Sequence, residues 1–277
     1  MNFRTDLALE AAVTTPVAPA HVTQTQQKVG AVTLSVVRVL TPEGAAAIGK
    51  PRGRYVTASL SSLTDDERLL RETAAVVGKE LGRMLPPEGT VLVVGLGNRT
   101  VTPDALGPAV ADGVLATRHI RGEFARAAGL ADLRPVVVLS PGVLGQTGAE
   151  SSELVRGVCR EIHPAAVVVV DALAAGQVER LGCTVQLCDT GIHPGSGVGN
   201  DRRPLNREVL GVPVIGVGVP TVVDAATLAP GAPPMMVTPR EIDLVIARAS
   251  RLLAQAIHVA LQPGYSPAQL MEVARSM

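Results

Sequence analysis

The chain has 277 residues, 47 % apolar but only 1 % aromatic, so a core of adequate size must be built from Val, Leu, Ile and Ala. Lys+Arg and Asp+Glu number 25 each, a balance that excludes binding to DNA or anionic lipid through net charge. Phe3, Phe124, Tyr55 and Tyr265 are the whole aromatic set, too few for a stacking surface that reads single-stranded nucleic acid.

Taken in order, residues 12–30 are polar and rich in Pro, Thr and Gln, which predicts an irregular arm. AVTLSVVRVL (31–40) and RYVTASL (54–60) read as strands. Thr64-Asp65-Asp66-Glu67 has the spacing of a capping box for a helix that runs to about Met84 and stops at Pro86-Pro87. TVLVVGLGN (90–98) is a continuous apolar strand ending in a glycine turn, followed by a helix from about Pro103 to Ala116. RPVVVLS (134–140) is the next strand, PGVLGQTG a loop, and 150–162 a helix. AAVVVVD (165–171), TVQLC (184–188) and PVIGVGV (213–219) are further strands. Thr238-Pro239-Arg240-Glu241 is expected to cap a long helix to about Leu261, with Pro at its first position, and Ser266-Pro267 to open a short final one. Strands buried on both faces read as unbroken Val/Ile runs. Helices separate several such runs, which predicts one α/β domain over 1–277, a three-layer sandwich with a largely parallel sheet, closed by C-terminal helices over about 239–277.

Cys159, Cys183 and Cys188 form no CxxC and leave an odd one over, so neither a disulfide framework nor a metal site is expected. The charged start MNFRTDLALEA lacks the apolar centre of a signal peptide. The longest apolar run, PAAVVVVDALAAG, is too short to span a bilayer and contains an aspartate. No membrane partner and a cytoplasmic location are expected.

Several motifs suggest chemistry. Asp189-Thr190-Gly191 matches the triplet of pepsin-like proteases, but that arrangement needs β-rich lobes or a small dimerising β chain, so Asp189 reads as a loop aspartate at a strand end. Gly95-Leu96-Gly97-Asn98 follows a strand but lacks the third glycine of a dinucleotide fingerprint. The glycine run 195–199 opens no helix, and GKS/GKT, GxSxG and HExxH are absent. His119, His163 and His258 read as surface or capping residues, whereas His193 shares the Asp189 loop.

The carboxylates Asp104, in TPDALGP at a helix start, and Asp171, at the end of AVVVVD, carry more weight. Active sites of open α/β sheets gather outside the carboxyl ends of strands. If these two strands are neighbours, both aspartates reach one crevice. Two close carboxylates do not easily both ionise, which supplies a base for water and an acid for a leaving amine. The alternatives are structural: a helix N-terminal charge for Asp104 and a capping carboxylate for Asp171.

The segments RTDLALEA (4–11), GLGNRTVTPDALGP (95–108), PGVLGQTGAESSELVRGV (141–158), DALAAGQVERLGCTVQLCDTGIHPGSGVGN (171–200), LGVPVIGVGVPTVVDA (210–225) and MVTPREID (236–243) closely resemble the germination proteases of spore-forming bacteria. The resemblance implies an endopeptidase that degrades small acid-soluble spore proteins during germination. It implies Asp104 and Asp171 as the catalytic aspartates, and Asp189 as not one of them. It also implies a fold similar to hydrogenase maturation proteases, a homotetramer, a spore-core location and a zymogen that removes its own propeptide. No cofactor or metal is expected. Gly95, Gly97, Asn98, Gly142 and His193 are the candidate cleft residues, on glycine loops whose amides hold substrate. Two departures stand out. Only Met1-Asn2-Phe3 precede the RTDLA motif, so activity without long self-processing is expected, and the stretch 226–235 is short. A metal-assisted peptidase using Asp104, Asp171 and a histidine, and a peptide-binding relative without catalysis, are the rival readings.

Overall fold

The fold is known from a computed structural model, which describes residues 5–63, 65–120, 122–127, 130–195, 202–229, 231–266 and 269–270. Nine strands form one mixed sheet in the order β1-β2-β3-β7-β8-β6-β4-β5, with β9 added beside β8. They are β1 (Val22–Val29), β2 (Val32–Val39), β3 (Gly53–Ser59), β4 (Val91–Gly95), β5 (Val136–Leu139), β6 (Ala166–Ala175), β7 (Thr184–Cys188), β8 (Val214–Asp224) and β9 (Met236–Val237). The block β8-β6-β4-β5 is parallel, and β7, β3, β2 and β1 extend it as antiparallel neighbours.

The helices are α1 (Ala8–Thr14), α2 (Pro42–Ile48), α3 (Glu67–Gly82), α4 (Leu106–Gly113), α5 (Gly122–Ala127), α6 (Leu144–Thr147), α7 (Ser151–Ile162), α8 (Arg207–Leu210), α9 (Ala225–Leu228) and α10 (Ile242–Leu261). Alternate residues of each central strand face opposite layers. Val91, Val93, Val168 and Val170 pack with Leu81, Leu106, Val110 and Leu253 of α3, α4 and α10. Leu92, Val94, Val167 and Val169 pack with Val155 and Cys159 of α7 and Leu210 of α8. Both faces being covered is the physical reason these strands show no apolar–polar alternation. This is the α/β architecture expected, with helices on both sides of the sheet.

Several boundaries differ from the sequence reading. Residues 12–30 are irregular only in part, over 15–21, since they also hold the end of α1 and all of β1. β1 is a sheet edge with six of its eight residues exposed, so its polar VTQTQQKV carries no apolar alternation. α2 escaped notice because it is short, although Thr41 caps it, Pro42 opens it and left-handed Gly49 ends it. Asp66 caps α3, accepting from Arg68 N and Leu69 N. The expected helix 103–116 divides into a 3-10 turn, Thr102–Asp104, and α4. The PGVLGQTG loop contains α6. α10 begins at Ile242 rather than at Pro239, because the Thr238 hydroxyl donates to Thr221 O instead of capping a helix. Thr64, Pro267, Met1–Arg4 and most of the glycine run 195–199 lie outside the described residues.

Among the described residues α10 alone is long and apolar enough to cross a membrane. Its apolar residues, Ile246, Leu252, Leu253 and Ile257 among them, are buried in the layer shared with α3.

Candidate active site

The site begins where β4 ends. Leu96 N donates to Val170 O at 2.8 Å, tying the end of β4 to β6. The chain then turns through Gly97, whose φ of 119° is open only to glycine. It returns as the 3-10 turn carrying Asp104. The Asn98 amide donates both to Asp104 Oδ2 (2.8 Å) and to Asp104 O (3.1 Å), which fixes the carboxylate against the glycine loop. Asn98 Oδ1 in turn accepts from Thr100 N (3.0 Å), Thr100 Oγ1 (2.8 Å) and Gln146 Nε2 (2.9 Å). One asparagine thus joins the 95–98 loop to the 141–148 loop.

Asp171 does not end its strand, as the sequence suggested. β4 stops opposite Val170, while β6 and β8 run on together, with Asp171 facing Gly218 and a register shift after Leu173. Asp171 therefore stands at the step where the sheet narrows. It is only 6 % exposed, and its Oδ1 accepts from Ala172 N at 2.9 Å.

Asp104 and Asp171 line the same cleft, of about 1640 Å³. Burial raises the Asp104 carboxyl above its ordinary range, opposed by the Asn98 amide. Asp171 is raised much further, first by burial and then by the like charges of Asp104 and Asp6, with the Ala172 amide pulling the other way. The charges felt at Asp171 are both negative, so its neutral form is favoured.

Of the other candidate residues, Gly97, Asn98 and His193 line the cleft, whereas Gly95 and Gly142 are not among the residues that line it. Gly142 O accepts from Ser151 Oγ at 3.1 Å, which braces the second loop. Asp189 is exposed, and its Oδ1 accepts from Arg54 N at 2.8 Å, so it clips β7 to β3 as expected of a loop aspartate. Cys188 lines the cleft, but burial pushes its thiol up and its Sγ donates to Gly191 O at 3.2 Å. That is the reverse of an activated thiolate. Cys159 is core. His258 is neither surface nor cap: it is 4 % exposed and its Nε2 accepts from Leu115 N at 3.0 Å. No group of three His, Cys, Asp or Glu able to hold a metal ion occurs among the described residues.

Sequence reasoning missed one wall. Asp6, Glu10, Lys50 and Gln186 also line the cleft. Gln186 accepts from Ala8 N (2.7 Å) and donates to Asp6 O (2.9 Å), and Lys50 Nζ donates to Thr5 O at 2.7 Å. Asp6 and Glu10 belong to RTDLALEA, which sequence reading treated as a family mark and not as site chemistry. Lys50 and Gln186 sit in segments without any motif.

A model of the germination protease family matches residues 12–233. The germination protease of Clostridium perfringens is 40 % identical over 274 residues, covering 82 % of this chain and 83 % of that protein. That of Caldanaerobacter subterraneus subsp. tengcongensis is 36 % identical over 322 residues, covering 99 % and 98 %. That of Priestia megaterium is 45 % identical over 203 residues, covering 71 % and 54 %. Among solved structures, a [NiFe] hydrogenase maturation protease, HycI, from Thermococcus kodakarensis aligns with a TM-score of 0.39 and 22 % identity, covering 64 % of this chain and 98 % of that one. The relatives make the chain a peptidase. It belongs to the germination protease family.

Proposed function

We propose that the protein is an endopeptidase of small acid-soluble spore proteins, acting in the spore core during germination, with Asp104 and Asp171 as its acid/base pair. The observation that carries this reading is the enclosure of Asp171 beside two negative charges, within one cleft shared with Asp104. A carboxyl in that position favours its protonated form, the form that can pass a proton to a leaving amine. Asp104, more open to solvent and held by the Asn98 amide, is the base that takes a proton from water. Water is the nucleophile, because the thiol in the cleft, Cys188, is held protonated.

In the hydrolytic step Asp104 accepts a proton as the water oxygen bonds to the scissile carbonyl carbon. Asp171 then protonates the amine as the C–N bond breaks. One proton enters the site at Asp104 and one leaves from Asp171, and exchange with solvent restores both. Backbone amides of the cleft-lining loop residues Gly97, Val143, Leu144 and Gly145 are the groups that hold the substrate carbonyl while charge develops on its oxygen. The substrate binds as an unfolded, extended segment. The enzyme works as a single peptidase domain in a homotetramer.

The test is a gel assay of wild type and Asp171→Asn against a purified small acid-soluble spore protein. Wild type should clear the substrate and the variant should leave it intact. Equal clearance by both would refute the catalytic assignment, and clearance by neither would refute the substrate.

A further inference from the structure

The N-terminal segment ahead of α1 is built into the cleft. Asp6 N donates to Ala174 O at 2.9 Å, and Asp6 Oδ2 accepts from Ala174 N at 2.8 Å. Ala174 lies on β6, three residues beyond Asp171. The Asp6 carbonyl is held by Gln186 from β7, and the preceding carbonyl, of Thr5, by Lys50. Asp6 is therefore pinned from the main chain on both sides, in the cleft that Asp104 and Asp171 line. An anchor needs only an acceptor for Ala174 N, which an amide side chain would supply as well. A carboxylate adds a charge that both Lys50 and Asp171 feel, and beside the buried Asp171 carboxyl it favours the protonated form.

We infer that Asp6 is a positioning residue of the catalytic site, a negative charge fixed to the strand that carries Asp171 so as to hold the proton on Asp171. The inference rests on the reading of Asp104 and Asp171 as the catalytic pair. Asp6 does not touch the reacting atoms and acts through Asp171.

The other groups facing this corner are few. Asp104 supplies like charge from its 3-10 turn. Glu10, on α1, is 4 % exposed and accepts from Thr5 Oγ1 and Gly176 N. Lys50, after α2, is the cation that Asp6 and Glu10 attract, and burial works against its charge. Tyr55 from β3, Cys188 from β7 and His193 from the following loop also line the cleft, as do the charged side chains Glu150, Arg202 and Arg203. Burial raises both the tyrosine hydroxyl and the cysteine thiol, so neither supplies charge at neutral pH.

The test uses the full chain with Asp6→Asn, which keeps an acceptor for Ala174 N and removes the charge, and Asp6→Glu, which keeps the charge. The protonated-carboxyl infrared band that vanishes in Asp171→Asn reports Asp171 without any substrate. In Asp6→Asn its titration midpoint should fall by at least about half a unit, and the alkaline limb of the pH–rate profile should fall with it. The Asp6→Glu midpoint should stay near that of wild type. An unchanged midpoint in Asp6→Asn, with only a lower melting temperature, would overturn the inference and leave Asp6 an anchor. So would the absence of any such band near neutral pH in wild type. If Asp171→Asn proved fully active, the catalytic reading would fail, yet the infrared midpoint would still report whether Asp6 holds that proton.

Discussion

Gly97 packs backbone to backbone against Asp104: a Cβ at Gly97 would collide with the Asp104 carbonyl oxygen. The glycine at the end of β4 is thus what lets the 3-10 turn fold back and place its carboxylate. Gly97→Ala combines this collision with a φ of 119°, a strain on the order of 1–3 kcal/mol. Relief requires the 102–104 turn to move. We expect a fall in melting temperature of several degrees and loss of proteolysis beyond about 100-fold, since a displacement of about 1 Å suffices for that. Circular dichroism melts and the gel assay measure the two.

Asp171 carries a stability cost that depends on pH. Its folded-state carboxyl lies well above the ordinary value because of burial and then Asp104 and Asp6. Such a group contributes fully below the unfolded value of about 3.9 and loses that contribution as pH rises toward the raised one. Asp171→Asn removes the ionisation and keeps the shape. The variant should melt higher than wild type at pH 8, and the gain should shrink toward pH 4. A lower melting temperature at pH 8 would contradict it.

His258 sets an opposite limit in acid. Burial pushes its imidazole down to about 4, and the neutral ring accepts the Leu115 amide. Its contribution is whole above the unfolded value of about 6.5 and is lost as pH falls through about 4. The loss is on the order of 3 kcal/mol. Urea unfolding at stepped pH should show it, and His258→Gln, which keeps an acceptor, should flatten the curve between these limits.

Much of this was legible in the sequence, for reasons tied to particular residues. The Val runs 91–94 and 166–170 are buried on both faces, so their lack of alternation announced central strands. Asp104 and Asp171 lay beside such runs, and their parallel pairing brings both to one cleft. β1 was not legible because an exposed edge strand has no apolar signature. The end of β6 was misplaced because Asp171, a charge in sequence, stays inside a strand that β8 continues to pair. Asp6 and Lys50 were not legible as site residues, since only the tertiary fold brings segments 5–10 and 50 beside 171–176.

Cys188 offers a negative prediction. Its thiol lines the cleft but is buried, raised and bonded to Gly191 O. Cys188→Ala should keep activity within about twofold of wild type, at a stability cost of about 1 kcal/mol. Pepstatin-type molecules, shaped to β-lobed clefts, should not inhibit. Loss of turnover in a folded Cys188→Ala protein would reopen a thiol mechanism.

The central claim is that Asp104 and Asp171 act as one unit. The direct measurement is the single-turnover cleavage rate of Asp104→Asn, Asp171→Asn and the double variant on one spore-protein substrate. Each single change should lower the rate by about 1,000-fold or more, and the double variant should be no slower than the worse single, as for groups that act together. Losses that multiply in the double variant, or a wild-type rate in either single one, would contradict the account.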